Sequence, residues 1–267
     1  AFNFPMWGPL EKFAPAFIAG VPSLIKPASQ TAYVTEKLVE LMLASGLLPE
    51  GSLQLVTGSA GDLLDHLTAQ DLVGFTGSAS TAQVLRTHPA VVRNSVRFNA
   101  EADSLNCSIL GPDAVEGTPE FDLFVKQLVS EMTVKAGQKC TAIRRALVPA
   151  SLVDAVADAA TARLAKVVIG NPANDTVRMG ALAGLEQREE VRRSLKALLE
   201  VGDVVHGSPD RVDVVDADAE RGAFLSPVLL KADPDHAQPH EVEAFGPVST
   251  LMVFNSPKTD IALRRTD

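Results

Sequence analysis

Only two of the 267 residues are cysteine, too few for a disulfide framework. Both thiols therefore read as reduced, which favours the cytoplasm. Long uncharged apolar runs are missing too, and this excludes a helical bilayer span. There is no basic run and no aromatic patch interleaved with cations, and the net charge is −9. Those absences argue against nucleic acid and against an anionic membrane surface as partners. An acidic chain does not steer anions in general, so any phosphate must be held locally. No internal repeat, low-complexity tract or signal-peptide pattern is present. The chain opens at "AFNFPMWGP" without an initiator Met and stops at "ALRRTD" within a helix-like stretch, so a piece of a longer protein is expected. What is there, 46% hydrophobic and 21% charged residues, suits one or two globular domains.

Short apolar runs alternate with amphipathic stretches. "VPSLIKPA" reads as a buried strand ended by Pro27. The spacing of Val34, Leu38, Leu41 and Met42 predicts a helix over Thr31–Ser45, closed at Gly46. "SLQLVTG" and "DLVGFTG" read as strands, "GDLLDHL" as the start of a helix, and another helix is expected from Ser78. This rhythm predicts an α/β fold with a doubly wound parallel sheet. A second α/β unit is expected after Asp103, with helices over Phe121–Lys135, Ser151–Lys166 and Glu186–Val201 and a strand in "RRALVP". The boundaries fall at 1–103, 104–253 and 254–267, the last read as a return to the first unit. His236 and His240 are four residues apart, but their prolines make "DPDHAQPHE" a loop, and no metal site is expected.

Three residues carry a chemical signal. Cys140 lies in "KAGQKCTA", a Gly-Gln-Lys setting unlike a core. Lys135 and Lys139 can stabilise its thiolate if they point inward. Lys139 on its own reads as solvated. Cys107, in "SLNCSIL", reads as an inert strand cysteine. Glu101 stands at the end of a predicted strand, where α/β folds place functional groups, although a surface Glu is the plainer reading. The amide of Asn3, in "FNFP", can donate to an oxyanion, or Asn3 is a turn residue before Pro5.

Together "FNFP", "IKPAS", "FTGS", the Glu before "ADSLN", "AGQKCTA" and "EAFGP" resemble the aldehyde dehydrogenase superfamily in order and spacing, over essentially the whole chain. The resemblance implies that residues 1–103 are a dinucleotide-binding domain lacking its N-terminal part, and that 104–253 are the catalytic domain. It implies that Cys140 is the nucleophile. The oxyanion is then held by Asn3 and the Cys140 N–H, and Glu101 activates water. It further implies that Gly137 and Gln138 build the loop presenting the thiol. Lys26 contacts the adenosine ribose, Gly77 and Ser78 open a helix that receives a phosphate, Glu243 holds the nicotinamide ribose and Phe245 packs near the ring. Lys12 falls on a lysine position common in the family. As in the family, GxGxxG is absent.

Departures sharpen the reading. Ser29 stands where NAD-preferring relatives often carry Glu, and a serine does not repel a 2′-phosphate. NADP is therefore the expected cofactor, with NAD the alternative. Ala102, Asp103 and Ser104 replace the usual Leu-Gly-Gly, and Ala82 replaces a common helix Gly. "EADSLN", "MTVKAGQKCTAIRR" and "GDLLDHL" resemble the dehydrogenase half of the bifunctional ring-opening enzymes of phenylacetate degradation. The semialdehyde dehydrogenases of benzoyl-CoA epoxidation look the same here. This implies a CoA-linked semialdehyde substrate, a homo-oligomer and a C-terminal hydratase domain. A CoA-acylating enzyme is disfavoured because that group generally lacks the Glu. A non-catalytic nucleotide-binding relative would be free to lose Cys140, Glu101 or Asn3, and all three are kept.

Overall fold

The computed structural model describes residues 1–255. The chain divides into two compact units, Ala1–Asp103 and the remainder from Ser104.

The first unit runs α1 (Trp7–Ile18), β1 (Ser23–Ile25), α2 (Ala32–Ala44), β2 (Leu53–Leu55), β3 (Leu72–Gly77), α3 (Ala79–Arg86), α4 (Pro89–Arg93) and β4 (Arg97–Ala102). Its strands form two separate parallel pairs, β1 with β2 and β3 with β4. Phe13, Val39 and Leu53 make a small core with Phe17, Ile25 and Met42 against it. The predicted helix over 31–45 is present, but its buried face is turned: Thr35 and Val39 are buried and Leu41 is 61% exposed. Thr35 turns inward because its hydroxyl donates to the Pro5 carbonyl at 2.7 Å. Gly46 follows the helix with φ +68°, as a C-terminal glycine should. "GDLLDHL" yields only a 3₁₀ turn over Leu63–His66. The Thr68–Asp71 turn stops it, where the Asp71 carboxylate accepts from the Thr68 N–H and hydroxyl at 2.7 and 2.9 Å. Those bonds hold Asp71 below the usual carboxylate range.

The second unit runs β5 (Cys107–Ile109), α5 (Pro119–Thr133), β6 (Arg145–Pro149), α6 (Val153–Leu164), α7 (Leu185–Leu199), β7 (Gly202–His206), β8 (Val228–Ala232), α8 (Gln238–Glu241) and β9 (Val248–Phe254). The sheet order is β5-β6-β9-β8-β7, parallel throughout except for the antiparallel edge strand β7. Both faces are covered: Val125, Leu128, Val156, Leu229 and Leu251 lie in one core, and Val191, Leu195, Val228 and Leu230 in the other. Every residue of β6 is buried, as expected for an inner parallel strand. Thr118 caps α5 by accepting from the Phe121 N–H at 3.3 Å, with Pro119 in the first turn. α7 pairs charges on its outer side and buries Val191, Leu195 and Leu198 along one stripe. "DPDHAQPHE" contains the short helix α8. The return expected over 254–267 lies, from residue 256 on, outside the described residues; Phe254 itself ends β9.

Candidate active site

The Cys140 turn is built from strained backbone. α5 gives way to Lys135, Ala136 and Gly137 with φ of 55°, 51° and 68°. Three consecutive left-handed residues are unusual, because each L residue there costs about 1–2 kcal/mol. Their surroundings hold them. Ala136 is 1% exposed in the second core. A Cβ on Gly137 would stand 2.1 Å from the Gly246 carbonyl oxygen, so only glycine allows that approach. Buried Gln138 accepts from the Ala183 N–H at 2.9 Å.

Cys140 follows, exposed. Its carbonyl accepts from the Ser104 hydroxyl at 2.6 Å and the Asn106 amide at 2.5 Å. Asn106 also donates to the Ala142 carbonyl at 3.2 Å. Ser104 thus ties "EADSLN" to the cysteine. The two lysines divide. Lys139 is not solvated: its ammonium pairs with Glu131 at 2.8 Å, with side chains 13% and 19% exposed. Lys135 is exposed, and burial and then Lys139 push its ammonium below the usual lysine range, while the Cys140 thiolate opposes the shift.

Arg144, just before β6, and Arg145, its first residue, brace different neighbours. Arg144 donates through Nε to Glu243 at 3.3 Å, through Nη1 to the Gly246 carbonyl at 2.8 Å, and through Nη2 to the Gly137 and Lys139 carbonyls at 2.9 and 3.3 Å. Its guanidinium lies 5.2 Å from the Phe245 ring centre. Burial depresses its pKa, and Glu243 resists that shift. The other Glu243 oxygen accepts from the Ser104 N–H at 3.1 Å. Arg145 donates to the Leu105 carbonyl through Nε and Nη2 and to His240 Nδ1 at 3.0 Å. Because arginine only donates, His240 Nδ1 is the acceptor, and Nε2–H donates to the Pro234 carbonyl at 2.9 Å. Cys107, read as an inert strand cysteine, lies half-buried in β5 and packs on Leu147, Met252 and Phe254.

In the first unit, Asn3 is half-buried in the segment before α1. The hydroxyls of Thr31 and Thr35 donate to the Phe2 and Pro5 carbonyls on either side of it. Lys26 and Ser29 are exposed just past β1, with the Lys26 ammonium on the Pro27 carbonyl at 3.0 Å. Lys12 pairs with Glu11 at 2.7 Å. Glu101 is exposed near the end of β4, in register with Thr76 of β3, so it shares a sheet end with Gly77 and Ser78. Ser78 caps α3, accepting from the Thr81 N–H at 3.3 Å. At that helix start the Ala79 N–H already donates to Asp103 Oδ1 at 3.0 Å. Exposed Lys26 and Ser29 fit a phosphorylated nucleotide, whereas the Ala79 N–H is held by a carboxylate that repels one.

Sequence reasoning missed Arg144 and Asn106. The available signal was two adjacent arginines at the head of an otherwise apolar strand.

The family model described as "Aldehyde dehydrogenase family" matches residues 1–264. The 3,4-dehydroadipyl-CoA semialdehyde dehydrogenase of Aromatoleum evansii is 50% identical over 267 residues, covering 99% of this chain and 52% of that relative. Among solved structures, betaine aldehyde dehydrogenase from Staphylococcus aureus in complex with NAD+ matches with TM-score 0.85 and 27% identity, over 99% of this chain and 50% of that one. An E. coli NADP dependent enzyme matches with TM-score 0.83 and 27% identity, over 99% and 53%. The chain thus spans about half the length of these relatives.

Proposed function

The chain belongs to the aldehyde dehydrogenase family, and from that premise we propose that the whole protein oxidises a CoA-linked semialdehyde to the carboxylic acid with NADP, in the breakdown of an aromatic acid. The observation that carries the reading is the exposed Cys140 on a left-handed turn, its carbonyl clamped by Ser104 and Asn106. A protein keeps such strain where it positions a reacting group.

Cys140 Sγ, as thiolate, adds to the aldehyde carbon, and the carbonyl π-electrons move to oxygen. The Asn3 amide and the Cys140 N–H donate to that oxyanion. A bound nicotinamide would supply the hydride acceptor for the thiohemiacetal carbon, and loss of that hydride would leave a thioester on Cys140. Glu101 then takes a proton from water, the hydroxide adds to the thioester, and the C–S bond breaks to release acid and thiolate. Lys26, Ser29, Ser78, Glu243 and Phe245 are the residues that would hold the cofactor, with residues 1–103 as the nucleotide-binding part and 104–253 as the catalytic part.

Ser29 supports NADP because it brings no carboxylate to a 2′-phosphate. The Aromatoleum evansii relative supports a CoA-linked semialdehyde. Phenylacetate breakdown is the leading setting and benzoyl-CoA epoxidation the alternative; both place the enzyme in the cytoplasm, as a homo-oligomer, with a hydratase domain in the phenylacetate case. The test follows reduced-cofactor absorbance in the whole protein with a CoA-linked semialdehyde, comparing NADP with NAD. Turnover should prefer NADP, vanish in Cys140→Ala and stop after one hydride per site in Glu101→Gln. Tight cofactor binding without oxidation of any aldehyde would overturn the reading.

A further inference from the structure

A dense polar knot of the second unit is centred on a side chain that the proposed chemistry does not use. Arg144 is 4% exposed along its side chain, yet it makes four hydrogen bonds and covers an aromatic ring. Its partners fall in two sets far apart in sequence. Gly137 and Lys139 flank Gln138 in the turn that presents Cys140; Glu243, Phe245 and Gly246 belong to the segment entering β9. The two sets also meet directly, where bare Gly137 lets the Gly246 oxygen approach. Ser104 closes the circuit, its N–H on Glu243 and its hydroxyl on the Cys140 carbonyl.

We propose that Arg144 is a positioning residue that, with Ser104, clasps the Cys140 turn to the Glu243–Gly246 segment, so that the thiol and the Glu243 carboxylate are held as one rigid body. The inference deepens the aldehyde dehydrogenase reading and rests on it for its catalytic consequence. Bulk packing does not require an arginine here: a buried guanidinium loses solvation, and burial lowers its pKa. Planar geometry is what it contributes. A fork of five N–H groups can serve three carbonyls and a carboxylate at once, whereas a lysine ammonium has three donors at one point. The clasp explains why "EADSLN" departs from Leu-Gly-Gly: glycine at 104 would lack the hydroxyl that reaches the cysteine carbonyl. Glu243 is anchored on one oxygen by Arg144 and on the other by Ser104.

The test uses the whole protein with Arg144→Lys and Ser104→Ala, reading steady-state kinetics together with amide hydrogen exchange. Arg144→Lys should lower kcat about tenfold to a hundredfold, the scale of a small misplacement of a reacting group. Exchange should quicken together at 138–142 and 244–248, while β6 and β8 stay protected. Ser104→Ala should quicken exchange at 140–142 and lower kcat less. Unchanged kcat and exchange in Arg144→Lys overturns the clasp. Exchange that quickens across the whole sheet also overturns it, since that marks general destabilisation. If Arg144→Lys does not fold, Ser104→Ala decides by the same exchange criterion at 140–142. If the wild-type protein oxidises no aldehyde, the proposed function fails, and the exchange pattern alone decides the clasp.

Discussion

The two units solve the problem of placing a functional group in opposite ways. In the second, the groups around Cys140 are fixed by a buried arginine and by strands packed on both faces. In the first, Lys26, Ser29 and Glu101 are exposed at the ends of short parallel pairs, and few bonds hold each one. One set of groups is held rigid by the fold around it; the other is left exposed at strand ends.

Glycine provides the sharpest way to break that comparison. Gly46 and Gly137 share φ +68°, but a Cβ on Gly46 meets nothing within 4 Å, while one on Gly137 meets the Gly246 oxygen at 2.1 Å. Backbone strain is therefore common to both and close approach belongs to one. Gly46→Ala should cost about 1–2 kcal/mol. Gly137→Ala should exceed about 4 kcal/mol, or leave the Cys140 turn unformed. Denaturant unfolding of the whole protein with each variant measures the gap. Equal costs would mean that the second unit yields as readily as the first.

A smaller effect is expected from Asp103→Asn. Asn keeps an oxygen for the Ala79 N–H and tolerates the φ of 47° at this position, but it removes the negative charge from the start of α3. Cofactor binding, followed by titration calorimetry, should tighten about twofold to fivefold with little change in stability. A loss of fold instead would show that the first unit leans on this cap as the second leans on Arg144.

The smallest effect concerns His206 on β7. Burial pushes its pKa below the ordinary histidine value. The unfolded chain therefore binds more protons below about pH 6.5, and stability falls as the pH drops through that value. His206→Gln should flatten that fall slightly, read as thermal midpoints at about pH 7.5 and about pH 5. A steeper fall in the variant would contradict the sign.

Elements with strong periodicity were legible in the sequence, and so was the setting of Cys140. Legibility failed where a polar group outbid an apolar one for the interior. Leu41 was expected inside α2, but Thr35 took the buried place because the Pro5 carbonyl needed a donor. Lys139 was expected in water, yet Glu131 in the last turn of α5 drew it in. Arg144 reads as a surface charge until the folded chain brings Gly246 beside Gly137. Spacing along the chain carries no trace of partners a hundred residues away.

That separation has a consequence for synthesis. Among the described residues β9 is made after the other strands of the second unit's sheet, yet it lies between β6 and β8. The carbonyl that Arg144 needs at Gly246 leaves the ribosome about a hundred residues after the turn it supports, and closing so long a loop is slow. Until then the turn around Cys140 lacks the Gly246 carbonyl that Arg144 holds in the folded chain, so the setting of this thiol is completed only after about a hundred further residues have been made.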